Sequence, residues 1–182
     1  MTWHDFVYYR RGLLVSVPLL VALASRFHET EQDALIWPLG GFLVLSGFLL
    51  RVWTQQHLHY RLEVRKGLTT TGPYQYVRNP IYIGNTLMCA SAVVCSELLW
   101  LVPATVVNCA LVYSIAVRRE EARLAARYGE PYRQYMAEVP RWVPRVRLGG
   151  ILAPVNENLV ASILAEIHCL LILLPFVLKE IL

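Results

Sequence analysis

Apolar runs separated by short polar connections set the pattern of the chain. Runs at 12–27, 34–54, 80–97, 98–117 and 159–178 carry few charges, and each reads as a helix. A helix needs about 20 apolar residues, roughly 17–25, to cross a bilayer. The second, fourth and fifth runs meet that length. The first reaches it only by extending back through 6–11, which draws Arg10 and Arg11 into the interface. It also lacks a small-residue cleavage site, so a signal peptide is the weaker reading. The third is short, and Pro80 suits its first helical position. The expected fold is therefore all-α: a single polytopic membrane domain over 1–182 with five transmembrane helices.

Composition sharpens this. Of 182 residues, 56% are apolar and only 16% charged, against about 45–50% and roughly 25% in an ordinary soluble domain. A disordered chain, a disulfide miniprotein and a soluble α/β enzyme are excluded, and the length allows about one domain. Cys89, Cys95, Cys109 and Cys169 all lie in apolar runs without a CxxC pair, so neither a metal site nor a disulfide framework is expected. The net charge of +4 is unevenly placed rather than a sign of nucleic-acid binding. Fifteen of the 17 basic residues fall on one side if the N-terminus is cytoplasmic and the C-terminus lies across the membrane. The opposite side holds Arg26 and Lys179 among acidic residues. An integral protein of a prokaryotic inner membrane is the expected setting, and oligomeric state is left open.

The polar sequence to be explained lies in 55–80 and 118–158. The first stretch ends KGLTTTGPYQYVRNPIYIG, residues 66–84, where Gly72-Pro73 signals a turn and Asn79-Pro80 starts the third run. Three tyrosines, an arginine and an asparagine crowd into nine residues there, which an interfacial aromatic belt would also explain. In the second stretch, 118–128 reads as a helix stopped by Gly129 as a left-handed cap, with Pro131 opening a short helix through Ala137. Glu120, Leu124 and Arg127 or Tyr128 share one face. Glu120 and Glu121 project about 100° apart, so both can line a cleft without stacking. A solvated helix with Glu120 paired to Arg123 or Arg127 would account for the same pattern. Because the third and fourth runs form a hairpin, both stretches come to one membrane face. A cleft between them offers carboxylates, phenols and an arginine at the lipid–water boundary.

GPYQYVRNPIYIG, followed by EEARLAARYGEPYRQYMAEVPRWVP, resembles the integral-membrane methyltransferases. That superfamily holds the isoprenylcysteine carboxyl methyltransferases, their small prokaryotic relatives and the phospholipid methyltransferases. The likeness runs over roughly 62–144. It implies S-adenosyl-L-methionine as cofactor, S-adenosyl-L-homocysteine as product, and a pocket at the cytoplasmic face. It assigns cofactor binding to His59, Lys66, Gly67, Leu68, Thr69, Tyr74, Asn79, Pro80, Ile81, Tyr82 and Glu120, with Glu121 and Arg78 as catalytic candidates. Asn79 stands where the family more often has histidine, and Ala116 where the eukaryotic carboxyl methyltransferases place a substrate arginine. The implied acceptor is a membrane lipid or lipophilic small molecule, a carboxylate or an amine, reached from the bilayer. An NADPH-dependent sterol-type reductase and a non-catalytic membrane scaffold remain alternatives. Glu166 and His168, ionisable residues in the last run, are further candidates.

Overall fold

The computed structural model describes residues 3–27, 32–64, 67–145 and 159–181, without the side chains of 59–64, 180 and 181. All regular structure among them is helical: α1 (Trp3–Ala24), α2 (Asp33–Val64), α3 (Pro80–Val94), α4 (Leu101–Tyr128), α5 (Glu130–Glu138), α6 (Leu159–Glu166) and α7 (Leu174–Ile181). One 3₁₀ turn, Gly72–Gln75, precedes α3, and a 3₁₀ stretch, Ile167–Leu173, joins α6 to α7.

Four segments are long and apolar enough to cross a membrane: Trp3–Ala24, Asp33–Leu58, Leu101–Tyr128 and Leu159–Lys179. The expected third span is shorter than drawn, 15 residues rather than 80–97. Residues Met88 to Val94 are all buried, so α3 is sheathed by protein rather than lipid. The expected helix at 118–128 is not separate but completes α4. At 28 residues and 1.5 Å per residue, α4 is about 42 Å long, against about 30 Å of bilayer core. A layer of about 30 Å counted from Leu101 would end near Glu120 and Glu121, which places the pair at its edge. The first helix starts earlier than the 12–27 reading and ends sooner. The last run, expected as one helix, passes through the 3₁₀ stretch.

The bundle pairs α1 with α4 and α2 with α3, and α2 also meets α6. Small residues let α2 and α3 approach: a Cβ added at Gly47 would lie 2.8 Å from the Gly84 carbonyl oxygen and 2.8 Å from Met88 Cγ. Pro18 sits inside α1 and cannot donate to the Leu14 carbonyl. Asn108 Nδ2 of α4 donates to that oxygen instead, at 3.1 Å. Lys179 Nζ donates to the carbonyls of Ala22 and Ser25 at 3.1 and 2.7 Å, a cation at a helix C-terminus. The Trp100 indole, in the α3–α4 hairpin, donates to Phe27 O at 3.0 Å. The hairpin and the end of α7 therefore lie at the same end of the bundle as the end of α1. Residues 67–79 and the end of α4 lie at the other.

Candidate active site

Gly72 starts the 3₁₀ turn with φ +60°, and any Cβ there would run into the His57 ring. His57 Nδ1 and Thr71 Oγ1 are 3.1 Å apart, fixing the turn against α2. Proline at the first position of α3 then turns the chain back into the bundle at Asn79. On the other side, Gly129 ends α4 with φ +63° and ψ −131°. The positive φ was expected, but ψ is not that of a left-handed helical cap. This conformation is open to glycine and swings α5 back across the end of α4. Tyr132 and Tyr135 of α5 are buried there against Leu68, Leu124 and Val139.

Four hydrogen bonds stitch the two polar stretches together. Arg78 N donates to Pro140 O at 2.9 Å and Arg145 N to Tyr76 O at 2.9 Å. Tyr135 Oη donates to Tyr74 O at 2.7 Å, and Asn79 Nδ2 to Arg141 O at 3.2 Å. Asn79 is thus a structural donor to the strap at 139–145, a role for which an amide serves as well as an imidazole.

Between the stitched segments lies a cavity of about 470 Å³. Of the residues expected there, Leu68, Thr69, Tyr74, Arg78, Asn79, Pro80, Ile81, Tyr82, Glu120 and Glu121 line it. Gly67 is exposed beside it. Lys66 and the side chain of His59 lie outside the described residues.

The two glutamates divide as their angular offset requires. Glu120 Oε1 accepts from Tyr82 Oη at 2.8 Å, so Tyr82, rather than Arg123 or Arg127, is its hydrogen-bonding partner. The Tyr82 ring packs against Tyr113, centroids 4.6 Å apart. Glu121 accepts from Arg141 Nε at 3.1 Å and Nη2 at 2.5 Å, a two-point pair, and lies 3.4 Å from Arg78 Nη1. Burial, and then the Glu121 charge, pushes the Tyr132 phenol up to about 12. Burial, and then Tyr74, raises Tyr135 as well. Both phenols are therefore neutral donors at ordinary pH. Two buried polar atoms in the lining, Thr69 Oγ1 and Arg78 Nε, have no hydrogen-bond partner. Buried polar groups are normally paired, so an ordered water or a bound polar ligand would complete them.

Sequence reasoning missed Arg11, Arg51, Leu58 and Asn85 as lining residues, and did not assign Tyr132 and Tyr135 although it marked their motif. Asn85 lies one helical turn from Tyr82. Arg51 and Leu58 share a face of α2 at i, i+7, and an arginine ending one run opposite a glutamate in another was a usable signal.

The phospholipid methyltransferase family model matches residues 35–131, more than half of the chain and most of this site. The chain belongs to that family. This membership accounts for the ordered set of motifs across the α3–α4 hairpin. Among curated relatives, the chain is 26% identical over 138 residues to the nickel-cobalt-cadmium resistance protein NccN of Alcaligenes xylosoxydans xylosoxydans, covering 75% of this chain and 63% of that protein. It is 28% identical over 124 residues to the cobalt-zinc-cadmium resistance protein CzcN of Cupriavidus metallidurans, covering 68% and 56%. The match thus takes in less than two thirds of each relative's length. No solved structure matches the chain significantly.

Proposed function

We propose that this family member is an S-adenosyl-L-methionine-dependent methyltransferase, embedded by five membrane crossings, whose pocket opens on the cytoplasmic face and takes an amphiphilic acceptor from the bilayer. The carrying observation is the cavity between the 67–82 segment and Glu120, with Thr69 Oγ1 and Arg78 Nε unpartnered in its lining. Its volume falls in the range of about 300–1,000 Å³ usual for small-ligand sites. The charge asymmetry supports the orientation, because fifteen of the 17 basic residues fall in the sequence segments expected on the cytoplasmic side.

The donor set fits the proposed cofactor, which carries an ammonium, a carboxylate and a sulfonium. Glu120, with Tyr82 holding one oxygen, suits the ammonium. Arg78 and the Thr69 hydroxyl suit anionic or hydroxyl oxygens, and the tyrosine faces suit a cation. When bound, the cofactor supplies an activated methyl group. The chain then has to orient the acceptor and exclude water. Leu68, Leu124, Tyr132 and Tyr135 wall the cavity against water. Glu121, clamped between Arg141 and Arg78, braces the strap and Arg78. As a proton acceptor for an amine it would first have to give up an arginine.

The relatives' names bring one further element to the proposal. Methyl esterification of a carboxylate removes a negative charge and a hard oxygen ligand for divalent cations. A lipid carboxylate methylated at the membrane surface would bind such cations less. The whole-protein roles of the relatives enter this reading only through that chemistry.

The deciding experiment is calorimetry on the full chain in detergent with S-adenosyl-L-homocysteine and NADPH in parallel. Binding of the first alone is expected. Binding of NADPH alone would move the assignment to a reductase, and binding of neither would leave a scaffold. Labelled methyl donor incubated with a total lipid extract then identifies the acceptor by mass spectrometry.

A further inference from the structure

A second cavity, of about 370 Å³, lies between α1, α3 and the 3₁₀ stretch. Val15, Leu19, Met88 and Ile172 give it an apolar wall. The 3₁₀ stretch helps to make the space, because seven residues of this tighter helix present side chains in rows three apart. Cys169 and Ile172 fall in one such row, and both line the cavity.

Asn85 lines both cavities. Its Oδ1 accepts from Arg51 Nη1, and Arg51 lines the first cavity. The rest of that guanidinium is held from behind. Arg51 Nε donates to Glu166 Oε2 at 2.6 Å, and Arg51 Nη2 is 2.6 Å from the same oxygen. Gln55 Nε2 donates to Glu166 Oε1 at 2.6 Å. Glu166 is 1% exposed and lines neither cavity. The junction is thus walled by a guanidinium whose counterion is turned away, and Arg11 adds a second cation to the same cavity. The carboxylates of that cavity are engaged elsewhere, Glu120 with Tyr82 and Glu121 with Arg141 and Arg78, so a cationic head group beside Asn85 would meet the Arg51 guanidinium. An anionic one finds N–H donors.

We propose that the cavity between α1, α3 and the 3₁₀ stretch holds the hydrocarbon tail of the methyl acceptor, and that Arg51, positioned by Glu166, receives an anionic head group at the junction marked by Asn85. This rests on the methyltransferase reading for the word acceptor, while the binding site itself does not. With a carboxylate acceptor the transfer balances without a base. The acceptor oxygen's lone pair forms the new C–O bond as the methyl C–S bond breaks onto sulfur, giving a neutral ester and a neutral thioether with no proton released.

The test uses the full chain in phosphatidylcholine nanodiscs, photolabelled with an oleate analogue carrying a mid-chain diazirine and with the corresponding amine. Adducts of the carboxylate are expected on Val15, Met88 or Ile172, suppressed by excess oleate. They should exceed those of the amine by about tenfold, the least that a charge-assisted hydrogen bond contributes. Ile172→Trp should abolish labelling by filling the cavity. The paired variant Arg51→Leu with Glu166→Leu leaves no buried charge uncompensated and should erase the preference for the carboxylate. Adducts spread over the lipid-facing sides of α1 and α2, or equal labelling by the amine, would overturn the proposal. Calorimetry with S-adenosyl-L-homocysteine on the same sample separates the two readings. Labelling without cofactor binding sinks the methyltransferase assignment alone, and cofactor binding without labelling sinks this site alone.

Discussion

Replacing Tyr82 by phenylalanine removes one hydroxyl and leaves the ring packed against Tyr113 at a tilt. That hydroxyl donates to Glu120 at 2.8 Å from a residue only 9% exposed. A hydrogen bond to a charged acceptor contributes about 1.5–3 kcal/mol. If Tyr82 holds the Glu120 carboxylate in place for the cofactor's ammonium, losing it weakens binding by up to the same amount. At 1.4 kcal/mol per decade, that is about 10- to 150-fold. The assay is calorimetric titration of S-adenosyl-L-homocysteine into the detergent-solubilised chain, with the ligand-free melting temperature as a control for folding. Glu120→Ala in the same assay should leave no measurable binding. Affinity for Tyr82→Phe within about twofold of the parent, or retained affinity for Glu120→Ala, would refute the assignment of this pair to the cofactor.

Arg141→Ala removes the two-point contact to Glu121 and should free the strap at 139–145. Arg141 is 33% exposed, so solvent screening limits the cost to about 1–3 kcal/mol, read as faster limited proteolysis within that segment. Gly47→Ala sets a methyl 2.8 Å from the Gly84 carbonyl oxygen. The backbone must yield, and overpacking of this kind costs about 1–3 kcal/mol, seen as a lower melting temperature with α2 displaced from α3. Tyr132 fixes an alkaline limit. Below pH 10 it is protonated folded or unfolded, whereas between 10 and about 12 only the unfolded chain releases the proton, so stability falls as pH rises through that window. Tyr132→Phe should flatten the fall in a pH series of thermal melts, and an unchanged slope would count against the burial of this phenol.

The apolar runs made the helices legible because lipid-crossing segments must satisfy their own backbone and announce it in composition. Their ends were not, since α4 and α2 continue past their apolar runs without a break in helical propensity. Ten of the expected site residues line one cavity, because the turn glycines and Pro80 constrain the backbone locally. The strap was invisible, because Arg78 N to Pro140 O and Arg145 N to Tyr76 O are backbone bonds that no side-chain pattern encodes. Arg51 counts in the sequence only among the fifteen basic residues of one side, because its partner Glu166 lies 115 residues away.

The strap also carries a timetable. Tyr74 and Tyr135 are 61 residues apart, and Asn79 and Arg141 are 62, with the whole α3–α4 hairpin between them. A ribosome that has delivered α1 to α4 has released a bundle with an unroofed site, and the roof arrives only with residues 131–145. The hairpin has by then folded back on itself and returned both partners to one end of the bundle, so closing that long loop costs less entropy than its length implies. Competence to hold a small molecule is accordingly acquired only after α1 to α4 have emerged, and the Arg51–Glu166 pair forms later still.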